Sequence, residues 1–347
     1  MKKYLELFKD GFDSTITEKT RVENWPYVGY SPSEGVVYTI IPKEDGTMYT
    51  IYRVVRKDIS NCTYNMVDLG LPSGLKWADR NVGASSPEDY GSYFQWGDTN
   101  AYTYDGVGEI TAAKLAELLN PLFGPELGME ITSDNIEDIL LILFEGYDVG
   151  TDLTNTPRGA LGLSLDKFFN WDSYNDVDKI TSWEEYDDGY KYPGVFNKYN
   201  NSEESLKVLE SVDDAAAVHM GSQYRMPTID EIEELMYNTT HTYIDLNGNE
   251  YIQEEGQNET IEYGKLKGVR LTGSNGNSIF IPAAGWCDMS LLNETGADGA
   301  LWASGLYDSY DSIDYYAWMW GFNCDSGGVF VGYYDRYYGN SVRGVQE

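Results

Sequence analysis

Residues able to carry out chemistry are few in this chain and badly spaced for it. Two histidines, His219 and His241, make a histidine-rich metal site or a histidine-based triad hard to assemble. Three cysteines, Cys62, Cys287 and Cys324, are an odd number at no metal-ligand spacing, so neither a disulfide framework nor a zinc site is indicated. The 57 Asp and Glu residues always offer carboxylate pairs for glycoside hydrolysis, but no pair stands in a constrained apolar setting. GSNGNS (273–278) lacks the Lys-Ser/Thr and following helix of a phosphate-binding loop. Acidic loops could take a calcium ion, although no calcium-loop motif with its closing Glu is present; no cofactor is expected. This inventory points to binding and away from catalysis.

Tyrosine, at 30 residues beside 36 glycines, is the compositional oddity. A tyrosine side chain gives a large flat contact area, few rotors and a hydroxyl, which suits recognition surfaces. The densest stretch is 307–340. Tyr307, Asp308, Tyr310, Asp311 and Tyr315 lie in its first, irregular part. In GGVFVGYYDRYYGN (327–340), period-2 alternation puts Val329 and Val331 on one strand face and Phe330 and Gly332 on the other. With the valines inward, Phe330 turns outward beside Tyr333, Tyr334, Asp335, Tyr337 and Tyr338. So many exposed aromatics imply a partner, a sugar face or a protein epitope.

The formal charge of −33 argues against nucleic acid and against anionic membranes. No apolar run reaches the roughly 20 residues of a membrane span. MKKYLELFKDGFDST has no apolar segment or cleavage site of a secretion signal, so synthesis in a cytoplasm is expected.

The elements that must position these residues divide into two regions. Residues 1–62 read as an attachment or oligomerisation region: an extended Trp/Pro/Gly stretch, then a hairpin over 36–56 that another chain is expected to complete. Residues 63–347 read as a β-rich α+β domain, with a helical excursion at about 104–165. Helices are predicted over 211–220 and 227–238. In the second, Thr228 and Glu231 are spaced as a capping box, and Ile229, Ile232, Leu235 and Met236 form the buried stripe.

Five phrases occur in an order that resembles the Fibrobacter succinogenes major paralogous domain: VDLGLPSGLKWADRNVGASSPEDYGSYFQWGDT (67–99), YRMPTIDEIEELMYN (224–238), LTGSNGNSIFIPAAGW (271–286), LWASG (301–305) and RYYGNSVRGV (336–345). That family is related to the formylglycine-generating-enzyme version of the C-type lectin fold and is abundant in Bacteroidetes and their phages. The resemblance implies a C-type lectin-like domain whose terminal strands pair and whose last third carries the ligand face. Met66–Leu69 and Ser341–Val345 are strand patterns suited to that pairing. Trp77, Trp96, Trp286 and Trp302 are assigned to the core, and Arg225 and Arg343 to buried carbonyls or carboxylates such as Asp213 or Asp214. The fold's enzymatic relatives use copper bound by paired cysteines, a signature that nothing around Cys287 and Cys324 resembles.

In related lectin-fold proteins the terminal segment is diversified by retroelements. By that resemblance the variable positions are Met319, Gly321, Asn323, Phe330, Gly332, Tyr333, Tyr334, Asp335, Tyr338 and Asn340. The implied protein is a phage virion component, a head- or tail-fibre-type adhesin. Its N-terminal region would join other virion proteins in a homo-oligomer, and its face would bind host surface glycans or proteins. The alternatives are a bacterial cell-surface binding protein of the same family and a capsule polysaccharide hydrolase.

Overall fold

In a computed structural model, the description covers residues 27–31, 36–42, 48–136, 139–140, 183–185, 191–193, 198–200, 205–252, 261–288, 291–307, 316–324, 328–336 and 338–347. Among the described residues β-sheet predominates and helices are few, 14% helical against 42% strand. In order come β1 (Tyr27–Ser31), β2 (Val36–Pro42), β3 (Met48–Arg56), β4 (Met66–Asp68), β5 (Lys76–Ala78), β6 (Tyr93–Gln95) and β7 (Tyr102–Thr111). Helix α1 (Ala112–Leu127) and strands β8 (Trp183–Glu185) and β9 (Lys191–Pro193) follow. Helices α2 (Ala215–Met220) and α3 (Ile229–Tyr237) precede β10 (Thr239–Asp245), β11 (Glu250–Ile252), β12 (Leu266–Gly273) and β13 (Ser278–Pro282). The last stretch holds β14 (Trp286–Asp288), β15 (Leu291–Asn293), β16 (Asp298–Leu306), β17 (Tyr316–Asn323), β18 (Val329–Asp335), β19 (Tyr338–Ser341) and β20 (Val345–Gln346).

Contacts group the described residues into two compact units, and the division differs from the one the sequence implies. The described residues of the first lie within 27–55, 104–140 and 183–192; those of the second lie within 56–103 and 193–347. In the first, β2 and β3 form the expected hairpin, in register from Val36↔Val55 to Pro42↔Tyr49. Its apolar face is covered within the same chain. Tyr38, Ile40, Tyr49 and Ile51 share a core with Leu115 and Leu119 of α1 and with Ile131, Ile136, Ile139 and Leu140. The helical block is therefore the partner the hairpin needs, not an excursion from the second unit, and no other chain is required to bury that face.

The second unit is built on a sheet of order β6-β19-β16-β17-β18, with β14 beside β19 and β15 beside β14. Its covered face packs Leu301, Ala303, Trp320 and Phe322 against β12, β13 and α3. Helix α3 forms as its sequence prescribes. Thr228 Oγ1 accepts from Glu231 N, and Glu231 Oε2 accepts from Thr228 N at 2.8 Å. The predicted stripe of Ile229, Ile232, Leu235 and Met236 lies in or against the core.

The two arginines anchor carboxylate and carbonyl groups as expected, with Glu231 and Phe280 among their partners in place of Asp213 or Asp214. Arg225 grips Glu231 bidentately at 2.6 and 2.7 Å, which joins the capping box to the strand-like segment before it. Arg343, fully buried, donates to Asn81 Oδ1 at 2.7 Å and to the Phe280 carbonyl at 2.9 Å. Burial lowers its pKa to about 9, so it stays cationic at neutral pH. Asp214 caps α2, accepting from Ala216 N, Ala217 N and Met226 N, while Asp213 accepts from the Tyr199 hydroxyl at 2.6 Å. The terminal strands also differ from expectation: they share a sheet but do not pair directly, because the order is β20-β5-β4 and Trp77 of β5 lies between Val345 and Val67.

Candidate recognition site

Strands β17 and β18 form an antiparallel pair in register from Tyr316↔Asp335 to Phe322↔Val329, and directly opposed residues share a face. One face carries Trp318, Trp320 and Phe322 with Val329 and Val331. It packs on the core, as the alternation over 329–332 predicts. The other carries Met319, Gly321 and Asn323 with Phe330, Gly332 and Tyr334. The same alternation separates two tyrosines that the sequence reading placed together: Tyr333, opposite Trp318, belongs with the valines, and Tyr334, opposite Ala317, belongs with Phe330.

Tyr333 escapes burial because it lies at the end of the core face, 46% exposed. Its ring stacks on Tyr307 at 4.2 Å and meets Tyr316 at 4.8 Å; Tyr307 in turn stands edge-on to Trp318 at 4.6 Å. These four rings make one aromatic patch.

A second patch lies on the opposite face. Trp286 of β14 meets Tyr338 of β19 at 4.7 Å and Tyr334 at 5.6 Å, and Tyr334 and Tyr338 are 5.6 Å apart, edge-on. Trp286 is half-buried, unlike Trp77, Trp96 and Trp302, which are in the core as expected. The cause is local: Cys287, the next residue, turns inward at 1% exposure, so strand alternation sends Trp286 the other way. Gly285 sets the entry to β14 at φ +64, where an added Cβ would lie 1.9 Å from the Asn293 carbonyl oxygen. Asn293 is the cross-strand partner of Trp286.

Two acidic residues lie beside this patch: Gly285 N donates to the Asp298 carbonyl at 2.8 Å, and Glu294 follows Asn293, the cross-strand partner of Trp286. Burial, with a smaller contribution from the charges of Asp298 and Glu294, pushes the Tyr334 phenol up to about 12. Tyr263, 59% exposed, donates to Glu294, which raises its own pKa. Glu294 holds φ +58, one of two non-glycine residues at positive φ among those described, and its carbonyl accepts from Ala297 N and Asp298 N. Sequence reasoning missed Trp286, Glu294, Asp298, Tyr263, Tyr316 and Trp318. For Trp286 the available signal was the Trp-Cys-Asp alternation.

Several expected contact residues are placed elsewhere. Met319 and Asn340 are fully buried, so they cannot meet a ligand; Met319 underlies the second face beside Gly321 and Gly332. Gly321 is also buried, with Phe330 lying over it: an added Cβ would come within 2.9 Å of the Phe330 ring. Asn323, Phe330, Gly332, Tyr334, Asp335 and Tyr338 are half-buried. Asp308, Tyr310, Asp311, Tyr315 and Tyr337 lie outside the described residues.

The other chemistry-bearing side chains serve the fold. Arg336 lies over Trp96 at 4.8 Å and donates to the Tyr199 carbonyl at 2.9 Å. His219 Nε2 is 2.7 Å from the Thr99 carbonyl oxygen, with its ring beside Phe94. Cys287 and Cys324 are buried. Among the described residues, no group of three or more His, Cys, Asp or Glu side chains converges on a metal position. In the same residues, no helix is long and apolar enough to cross a membrane. The chain matches no protein-family model, no curated protein and no solved structure.

Proposed function

We propose that this chain is a non-enzymatic display protein, a head- or tail-fibre-type adhesin of a phage virion, whose second unit binds a host surface ligand. The observation that carries the binding reading is the pair of aromatic patches on the two faces of the β17–β18 hairpin. One strand pair presents Tyr333 on one side and Tyr334 on the other, each joined by rings from separate parts of the chain. Rings gathered at a surface from distant segments offer contact area at little entropic cost, as binding surfaces require. The C-type lectin-like architecture and the virion setting rest on the five ordered motifs; the first unit, with a core of its own, is the part free to join other virion proteins.

Two measurements test this. Mass spectrometry of purified particles is expected to find the chain, and its absence from them would remove the virion assignment. Binding of the whole chain to host cells is expected to fall when Tyr333, Tyr334 and Tyr338 are changed together to Ala, with unfolding temperature little changed. Undiminished binding would place recognition elsewhere.

A further inference from the structure

The aromatic patch around Trp286 lies beside two acidic residues, Glu294 and Asp298, and these limit what it can hold. We propose that Trp286, Tyr334 and Tyr338 stack a neutral hexopyranose of a surface glycan, whose hydroxyls donate to the carboxylates of Glu294 and Asp298. This names the ligand class within the display function above and rests on it.

Three considerations select a neutral sugar. First, the rings touch one another: centroids 4.7 to 5.6 Å apart are in van der Waals contact. No gap remains between them for an alkylammonium group, so the cluster offers ring faces and edges, not a cation cage. A ring face is electron-rich and attracts the C–H bonds of a pyranose. Second, an ionised carboxylate only accepts hydrogen bonds, which complements hydroxyl donors and not another acceptor. Gly285, next to Trp286, donates its N–H to the Asp298 carbonyl at 2.8 Å, and Asn293, paired with Trp286 across the strands, directly precedes Glu294, so both acidic residues and the rings belong to one locality. Third, the same charges repel a sialic acid, uronic acid, phosphate or sulfate, and the chain's net charge of −33 adds to the repulsion. A protein epitope would need about 800 Å² on each partner, far more than three half-buried rings supply.

The test uses the full chain on an array of oligosaccharides with neutral glucose, galactose or mannose ends beside sialylated and uronic-acid-ended ones. Neutral ends are expected to bind at least about tenfold better than acidic ones. Trp286→Ala should abolish that signal and Trp286→Phe should keep part of it. Glu294→Gln and Asp298→Asn should each lower it by roughly tenfold, the worth of one charge-assisted hydrogen bond. Thermal unfolding of every variant is followed, and phenolate absorbance shows whether the site is intact: in a folded Asp298→Asn protein the Tyr334 transition moves down from about 12. Equal binding of acidic ends, or neutral binding that survives Trp286→Ala, overturns the proposal. Cell binding that persists with a blank array and after periodate oxidation of the cells also overturns it, leaving display of a protein-binding face. A chain that binds no cells at all removes the display reading itself.

Discussion

The two faces of the β17–β18 hairpin both carry aromatic rings, and they are covered differently. On one, Trp320 and Phe322 are sealed under α3 and β12, and only the far end emerges, at Tyr333. On the other, Tyr334, Trp286 and Tyr338 pack on each other, Met319 of the same hairpin face is buried, and Glu294 and Asp298 lie beside Trp286 in the chain's pairing. Aromatic content alone therefore does not distinguish core from the proposed recognition surface; what lies over each face does.

The sharpest way to break that comparison is to cut one indole from each side. Trp320→Ala is expected to cost about 3–5 kcal/mol, seen in the denaturant midpoint, because it opens a cavity in the core. Trp286→Ala removes a half-buried ring, and about 1–2 kcal/mol is expected from its smaller area burial. Equal losses would mean that Trp286 belongs to the core after all. Trp320→Phe should be far milder than Trp320→Ala, since the Trp320 indole N–H is buried without a partner and its loss leaves no further group unsatisfied.

The cover itself comes next. Glu231→Ala removes both the capping box and the Arg225 pair that hold the start of α3. It should lower stability by about 1–2 kcal/mol and raise hydrogen exchange in α3 before the strands. Uniform exchange would show that α3 does not loosen separately from the sheet beneath it. Smaller still, Tyr333→Ala should cost under about 1 kcal/mol, as for other exposed positions.

The finest distinction is in pH. Tyr334 is protonated more tightly in the folded chain than in the unfolded one, which releases its proton near 10. Its contribution to stability is thus complete below pH 10 and is lost as pH rises toward about 12. Tyr334→Phe should remove that part of the alkaline decline. At the acid side, burial lowers the pKa of His241 below 6.5. The unfolded chain takes up that proton first, so stability falls as pH drops through 6.5, and His241→Gln should flatten the slope there.

Much of this was legible before folding was considered. The Thr228–Glu231 capping box, the 36–56 hairpin and the inward Val329 and Val331 follow from local rules of spacing, and the structure agrees. Tyr333 was misplaced by reading consecutive tyrosines as one surface, although the period of two already divides them. Trp286 was misplaced because an indole in an apolar motif reads as core, and its side is fixed by Cys287 facing inward.

Composition, charge and periodicity by themselves determined that strands dominate, where α3 starts, and that tyrosine is concentrated near residue 330. These depend on neighbours within a few positions, where backbone geometry imposes its periods. Only the tertiary structure decided that α1 completes the N-terminal hairpin, that Met319 and Asn340 are buried, and that the segment of Glu294 and Asp298 pairs alongside Trp286. Each of those depends on which distant segment covers a face, and a local pattern states that a face is apolar without stating what will cover it.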